Sequence, residues 1–345
     1  DVLLLTFIHG WHHSAAPQDG NIASFRGLLS RLAQTENALS QKQDRPARQV
    51  LGIYLGWRGD SITLPYLNDI PFWERKNTAH KVGTIGVAEA LVKLEQIVHV
   101  RAGMGAPDGK TESDSRMITI GHSFGGAVLF TSLQQILADR FIDSRKGKTS
   151  QGDANGFGNL VVLVNPAFEA LRFQPLFDLS QEYCRNYPNR QKPRLAILTS
   201  EADAATSMAF PAGRFFSTMM ETHMDLNRHI CTDKGEVKTV IREGEANRHS
   251  VGHFEPFLTH RLDPAAESAG PADYLMLEND WKAQQPGGPV QLGQTRLTHL
   301  NKSRVFNPYL NIRVDETISS GHNDIWGKAM TGFVHDLIVI SSMPE

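Results

Sequence analysis

The stretch Met117-Ile118-Thr119-Ile120-Gly121-His122-Ser123-Phe124-Gly125-Gly126 constrains the fold of this chain more than any other. A short run of strand type leads straight into a glycine-flanked serine, and an apolar-periodic segment follows through Val128, Leu129, Leu133, Ile136 and Leu137. This order predicts a strand, a sharp turn at Ser123 and a helix, with the serine hydroxyl lifted above the carboxyl end of a sheet. Such a turn strains the backbone at the serine and crowds the positions two before and two after it. Gly121 and Gly125 stand at those positions and supply no side chain. The amides at the start of the following helix would then point toward the site and favour developing negative charge.

The rest of the chain supports that local picture. Short apolar runs at Val2–Ile8, Val50–Leu55, Met117–Ile120, Leu160–Val164, Leu195–Thr199 and Leu310–Val314 alternate with longer helix-like segments at Asn21–Thr35, Lys76–Val100, Gly125–Ile142 and Ile325–Ile340. Alternation of this kind is the signature of parallel βαβ units, and near-continuous apolar strands are expected where helices cover both faces of a sheet. The rhythm breaks between Thr206 and Asn307, a stretch rich in Gly, Pro, His and charge. About 100 residues without structure would be improbable in a packed domain. Short elements are therefore expected inside, at Val237–Ile241 and Asp273–Leu277, with the whole interval folding over one end of the sheet. The chain thus divides into a core at 1–205, an inserted lid-like region at 206–307, and a return to the core at 308–345.

Composition excludes several classes. The 345 residues carry 35 Lys and Arg against 37 Asp and Glu, a formal net charge of −2, which disfavours a nucleic-acid binder or a polybasic membrane-surface protein. With 40% hydrophobic and 21% charged residues the chain is too apolar for a disordered one. No apolar run approaches the ~20 residues of a membrane span. Cys184 and Cys231 are too few for a disulfide framework and lack zinc-site spacing, so one bridge and two free thiols are both open. No signal-peptide pattern is present. Because the chain opens on Asp1 inside an apolar run, upstream residues carrying any address are expected to have been removed, and the compartment stays open.

A G-x-S-x-G set between an apolar strand and a helix resembles the serine esterases and lipases of the α/β-hydrolase superfamily. The resemblance implies the α/β-hydrolase fold: a mostly parallel sheet flanked by helices, here with a large insertion before the last catalytic strand. It also implies the chain order serine, acid, histidine, with Ser123 as nucleophile. Phe7-Ile8-His9-Gly10-Trp11 looks like the oxyanion-hole loop of the same superfamily, although the His-Gly-Gly-Gly form of some esterases is absent. By resemblance, the amides of Trp11 and Phe124 would be the two donors. The acid belongs after Leu195–Thr199, where Glu201 and Asp203 compete. Asp203 is preferred as the commoner orienting acid, and the other carboxylate is expected to be solvated or to cap a helix. The base belongs after the last strand, which selects His322 among 14 histidines, with nearby Asp324 read as a helix cap.

Other residues receive weaker readings. His9, His12 and His13 lack an acidic partner at metal-ligand spacing; His9 is expected to bond to loop backbone, while Trp11 and His12 either line the pocket or pack. Trp57, Arg58 and Phe168 follow strands at the same end of the sheet. Trp57 and Phe168 are read as pocket borders, while for Arg58 a structural ion pair is preferred over contact with a substrate carboxylate. The insertion holds His223, His229, His249, His253 and His260 with Phe210, Phe215, Phe216, Phe254 and Phe257, which either shape the substrate site or form a satellite core. No Walker loop or strand–GxGxxG–helix fingerprint occurs, so no cofactor and no metal is expected. The implied reaction is cleavage of a small-molecule or lipid-like carboxylic ester through an acyl-enzyme. An acyltransferase or thioesterase would use the same residues, and a non-catalytic binding protein on the same scaffold is the remaining alternative.

Overall fold

Parallel pairing of the apolar runs organises the molecule. A computed structural model describes residues 1–11, 13–57, 86–104, 114–144, 153–211, 222–265 and 274–343. Outside these lie His12, Arg58, Asp273, Phe215 and Phe216, and much of the segment read as a helix from Lys76. The strands are β1 (Val2–Ile8), β2 (Gln49–Leu55), β3 (Arg116–His122), β4 (Leu160–Val164), β5 (Leu195–Ser200), β6 (Asp225–Thr232), β7 (Gly235–Arg242), β8 (His260–Pro264), β9 (Pro289–Leu292), β10 (Thr295–His299) and β11 (Tyr309–Val314). The helices are α1 (Gly20–Lys42), α2 (Ala88–Met104), α3 (Phe124–Asp143), α4 (Ala170–Gln181), α5 (Glu243–Arg248), α6 (Tyr274–Lys282) and α7 (Lys328–Ser342).

Among the described residues, nine strands form one sheet in the order β2-β1-β3-β4-β5-β11-β8-β10-β9. Every neighbouring pair from β2 to β8 is parallel, and only β10 runs against the rest. The architecture is therefore α/β, with a mostly parallel sheet flanked by helices. Side-chain alternation sorts each strand between two cores. Leu4, Met117, Val161, Leu163 and Ile197 face α2, α3 and α4, while Leu5, Ile118, Ile120, Val162 and Leu198 face α1, α6 and α7. Both faces are covered, which explains why the central strands are apolar almost throughout.

The chain runs outward from β1 to β2 and then returns to place β3 on the other side of β1. That reversal makes the carboxyl ends of β1 and β3 a topological switch point, the place where open α/β sheets bind ligands. His9-Gly10 leaves β1 and Ser123 leaves β3 at this switch point.

The interval 206–307 departs in part from the sequence-based expectation. It supplies the separate antiparallel ribbon β6–β7, but β8, β9 and β10 extend the central sheet beyond β11 and do not fold over its end. Val237–Ile241 lies within β7, and the element expected at Asp273–Leu277 is the start of α6. Cys184 and Cys231 form a disulfide that ties the turn after α4 to β6. Helix α4 has no counterpart in the sequence reading because Pro175 interrupts its pattern. No helix among the described residues is long and apolar enough to cross a membrane.

Candidate functional site

At the end of β3 the backbone turns through Ser123 with φ 54° and ψ −121°, a strained conformation for a residue with a side chain. Two close approaches make room for it. A Cβ on Gly125 would lie 2.2 Å from the Ile8 carbonyl oxygen, and one on Gly121 would lie 2.7 Å from the Gly125 carbonyl oxygen. The turn therefore needs glycine at both positions, and it seats Ser123 at the N-terminus of α3.

His322 reaches this serine from the loop between β11 and α7. Its Nε2 lies 2.7 Å from Ser123 Oγ, and its Nδ1 lies 2.9 Å from each carboxylate oxygen of Asp203. A carboxylate at Nδ1 requires the ring proton there, so Nε2 is left to accept the serine hydroxyl. Asp203 is fully buried. Burial pushes its carboxyl up, but hydrogen bonds and charge from His322, together with hydrogen bonds from Thr206, outweigh that and hold it below its ordinary 3.8. The chemical capacity of the arrangement is a hydroxyl whose proton has an acceptor, and an imidazole whose positive charge has an anion behind it.

Two residues stand behind Asp203 in roles the sequence reading did not give them: Thr206, and His253, which it read only as an insertion histidine. The Thr206 amide donates to Oδ1 at 3.1 Å and its hydroxyl donates to Oδ2 at 2.5 Å. His253 Nε2 stands 3.1 Å from the Thr206 hydroxyl, whose proton is committed to Asp203, so the imidazole donates. Burial pushes His253 down to about 4, which keeps it neutral. The only sequence trace of Thr206 is its place three residues after the acid.

The competing carboxylate goes elsewhere. Glu201 pairs with Arg261 through both terminal guanidinium nitrogens, one of them at 3.1 Å, and makes no hydrogen bond to His322 among the described residues. It is neither a helix cap nor simply solvated, because β8 brings Arg261 beside it. Asp324 is not the cap of the last helix either: that helix starts at Lys328 behind Gly327. Asp324 instead accepts from the amide and hydroxyl of Ser320, both at 2.8 Å, and closes the loop that carries His322.

On the β1 side, His9 is buried. Its Nδ1 donates to the Gly10 carbonyl at 2.8 Å and its Nε2 accepts from the Trp57 amide at 3.2 Å, so it bonds to loop backbone. Trp57 stacks on His9 and returns its indole N–H to the His9 carbonyl at 2.7 Å. The Trp11 ring meets the Phe124 ring edge-on with centroids 6.3 Å apart, bringing the two loops expected to supply amide donors against each other. His13 bonds to Asp19, the residue that caps α1. Phe168 does not border a cleft: it is fully buried and stacked on Phe130 at 4.2 Å. Phe254 and Phe257 likewise pack into the core with Phe173 and Phe177, the satellite-core alternative. Among the described residues no group of three or more His, Cys, Asp or Glu side chains could hold a metal ion.

No protein-family model matches the chain, and no curated protein matches it. Among solved structures it is similar to phospholipase PlaB from Legionella pneumophila in complex with thio-NAD. The identity is 13% and the TM-score 0.26, over 70% of this chain and 49% of that one. The chain thus spans about half the length of that protein, and a likeness this slight carries no argument about fold or activity.

Proposed function

We propose that the protein is a serine hydrolase of the α/β-hydrolase fold that cleaves carboxylic esters. The observation that carries the reading is the hydrogen-bonded chain from Ser123 through His322 to Asp203, built on a strained turn at the reversal point of the sheet. In this reading His322 takes the hydroxyl proton as Ser123 Oγ attacks the ester carbonyl. The amides of Trp11 and Phe124 receive the tetrahedral oxyanion, and Asp203 holds the imidazole in the required tautomer and stabilises the imidazolium. His322 then protonates the departing alcohol. Water deprotonated by the same imidazole attacks the acyl-enzyme and releases the acid. The N-terminal end of α3 adds a favourable field at the oxyanion. Residues 1–205 and 308–345 form the core that carries the reaction, with 206–307 inserted between acid and base.

The test is hydrolysis of p-nitrophenyl acetate, butyrate, octanoate and palmitate by the wild type and by Ser123→Ala. The expected result is activity on at least one ester, with kcat lower in the variant by roughly 10⁶-fold. The chain-length optimum then sizes the acyl site. A folded wild type that hydrolyses none of the four and resists a fluorophosphonate probe removes the hydrolase reading.

A further inference from the structure

We propose that His122 and Asn165 are positioning residues for His322, gripping its backbone carbonyl from two sides so that the imidazole stays between Ser123 and Asp203. The inference rests on the serine-hydrolase reading for its catalytic meaning, but the grip is a property of the fold. His122 Nε2 and Asn165 Nδ2 each lie 2.9 Å from the His322 carbonyl oxygen, and both donate to it. Asn165 Nδ2 also reaches the Gly321 carbonyl at 3.4 Å. The other end of the same amide, Oδ1, accepts from the Ser200 amide at 3.0 Å. Ser200 is the last residue of β5, and the loop carrying Asp203 departs from it. One buried side chain therefore spans the acid loop and the base loop.

Both residues are placed at a structural cost. Asn165 is fully buried and has φ +46°, in the left-handed region that asparagine tolerates better than most residues. His122 is buried directly before Ser123, and a Cβ on Gly10 would come within 2.8 Å of its Nδ1. With Nε2 committed as donor, Nδ1 carries no proton, and among the described residues it has no hydrogen-bond partner. Burial, and then the neighbouring His322, pushes His122 down to about 3, so it stays neutral. A neutral ring with its centroid 5.2 Å from that of His322 can hold the base without repelling the imidazolium formed during turnover. The His322 side chain keeps 21% exposure, so water could satisfy a loop carbonyl here without help. Two buried donors aimed at one such carbonyl fix its position, which water would not do.

The test compares His122→Phe, Asn165→Gly, their double variant and His122→Gln. Phenylalanine keeps the ring without the donor, glycine keeps the left-handed backbone without the amide, and glutamine restores an N–H donor. Each single loss is expected to lower kcat about tenfold, the scale of one hydrogen bond, with KM within about twofold. The double variant is expected to lose at least about a hundredfold, the scale of a misplaced catalytic group. Labelling by a fluorophosphonate should slow in parallel, and His122→Gln should recover most of the loss. A folded double variant with kcat within about threefold of wild type overturns the proposal. If the double variant does not fold, wild-type kcat in both single variants overturns it. If the wild type itself neither hydrolyses esters nor labels, the hydrolase reading falls separately. The grip is then read from the NMR signal of the His322 Nδ1 proton, expected sharp in the wild type and exchange-broadened in the single variants. Equal line widths overturn the grip.

Discussion

Among the described residues the protein contains two hydroxyl–imidazole–carboxylate chains, and the proposed function assigns the reaction to only one of them. The first joins Ser123, His322 and Asp203 at the strand ends. The second joins Thr35 on α1 to His335 and Asp336 on α7: Thr35 Oγ1 lies 2.9 Å from His335 Nε2, and His335 Nδ1 lies 3.1 Å from Asp336 Oδ1. Bond by bond the two are nearly alike, down to a tautomer in which Nε2 accepts the hydroxyl. Their surroundings differ. Thr35 sits inside a regular helix turned toward another helix, with all three side chains buried. Ser123 sits on a turn with positive φ at a helix N-terminus, at the point where the sheet order reverses, and its imidazole is partly exposed. Hydrogen-bond distances alone therefore do not identify a nucleophile. Strain at the hydroxyl, a helix end nearby and a partly exposed imidazole separate the cluster proposed to react from one that joins two helices.

The sharpest way to break this comparison is to treat both carboxylates alike. Asp203→Asn is expected to lower ester-hydrolysis kcat by roughly 10⁴-fold, because an amide can no longer hold the proton on Nδ1 or stabilise the imidazolium. Asp336→Asn is expected to leave kcat within about twofold and to lower the thermal midpoint. Steady-state kinetics and thermal denaturation on the two variants check both halves. Equal losses of kcat would mean that the α1–α7 cluster communicates with the site, and the distinction drawn here would fail.

How far such distinctions are legible in the sequence depends on what fills the buried positions. Leu160–Val164 is apolar at every position and its strand is evident from the residues alone. The strands β8 and β10 bury His260, Thr295 and His299 as well as Leu262 and Leu297, so their inward-facing positions look polar and the alternation is lost. This is why the sheet extension in 206–307 does not announce itself. The chain order implied by the hydrolase resemblance selects Ser123 and His322 and narrows the acid to Glu201 or Asp203, and the structure brings Ser123, His322 and Asp203 within hydrogen-bond distance. His122, Asn165, Thr206 and His253 are single polar residues at buried positions. They become meaningful only when loops distant in sequence meet, which no local pattern encodes.

Those buried histidines make a second prediction, on stability. His122 and His299 are pushed down to about 3 and about 4, His253 to about 4, and His260 well below 6.5, in each case chiefly by burial. A histidine depressed in the folded state binds its proton more readily once unfolded. Its contribution to stability is therefore complete above about pH 6.5 and is lost as pH falls toward the folded value. Two of these groups flank the site and two face each other across β8 and β10, with ring centroids 5.0 Å apart. Stability is expected to decline steeply between about pH 6.5 and 4, with unfolding linked to the uptake of several protons. Urea midpoints measured across that range check it. His260→Phe or His299→Phe should flatten the slope, and an unchanged midpoint from pH 7 to pH 4.5 would contradict the assignment of these rings as buried and neutral.

The smallest expected effects come from two threonines, Thr206 behind Asp203 and Thr35 at the head of the second chain. Thr206→Val removes the hydroxyl between Asp203 and His253 but keeps the backbone amide that also holds the carboxylate. The acid stays in place with one fewer hydrogen bond, and His253 loses its acceptor. A decrease in kcat of about three- to tenfold is expected, the value of one hydrogen bond to a charged or buried group, with little change in KM. Thr35→Val removes the hydroxyl that donates to His335 and leaves its Nε2 buried and unpaired. That should cost about 1–2 kcal/mol of stability and nothing in kcat. Both variants delete one buried threonine hydroxyl, behind the carboxylate of the first chain and at the head of the second. A kinetic loss confined to one and a stability loss dominating the other would place the difference in the reaction, because loss of packing alone would affect both in the same way.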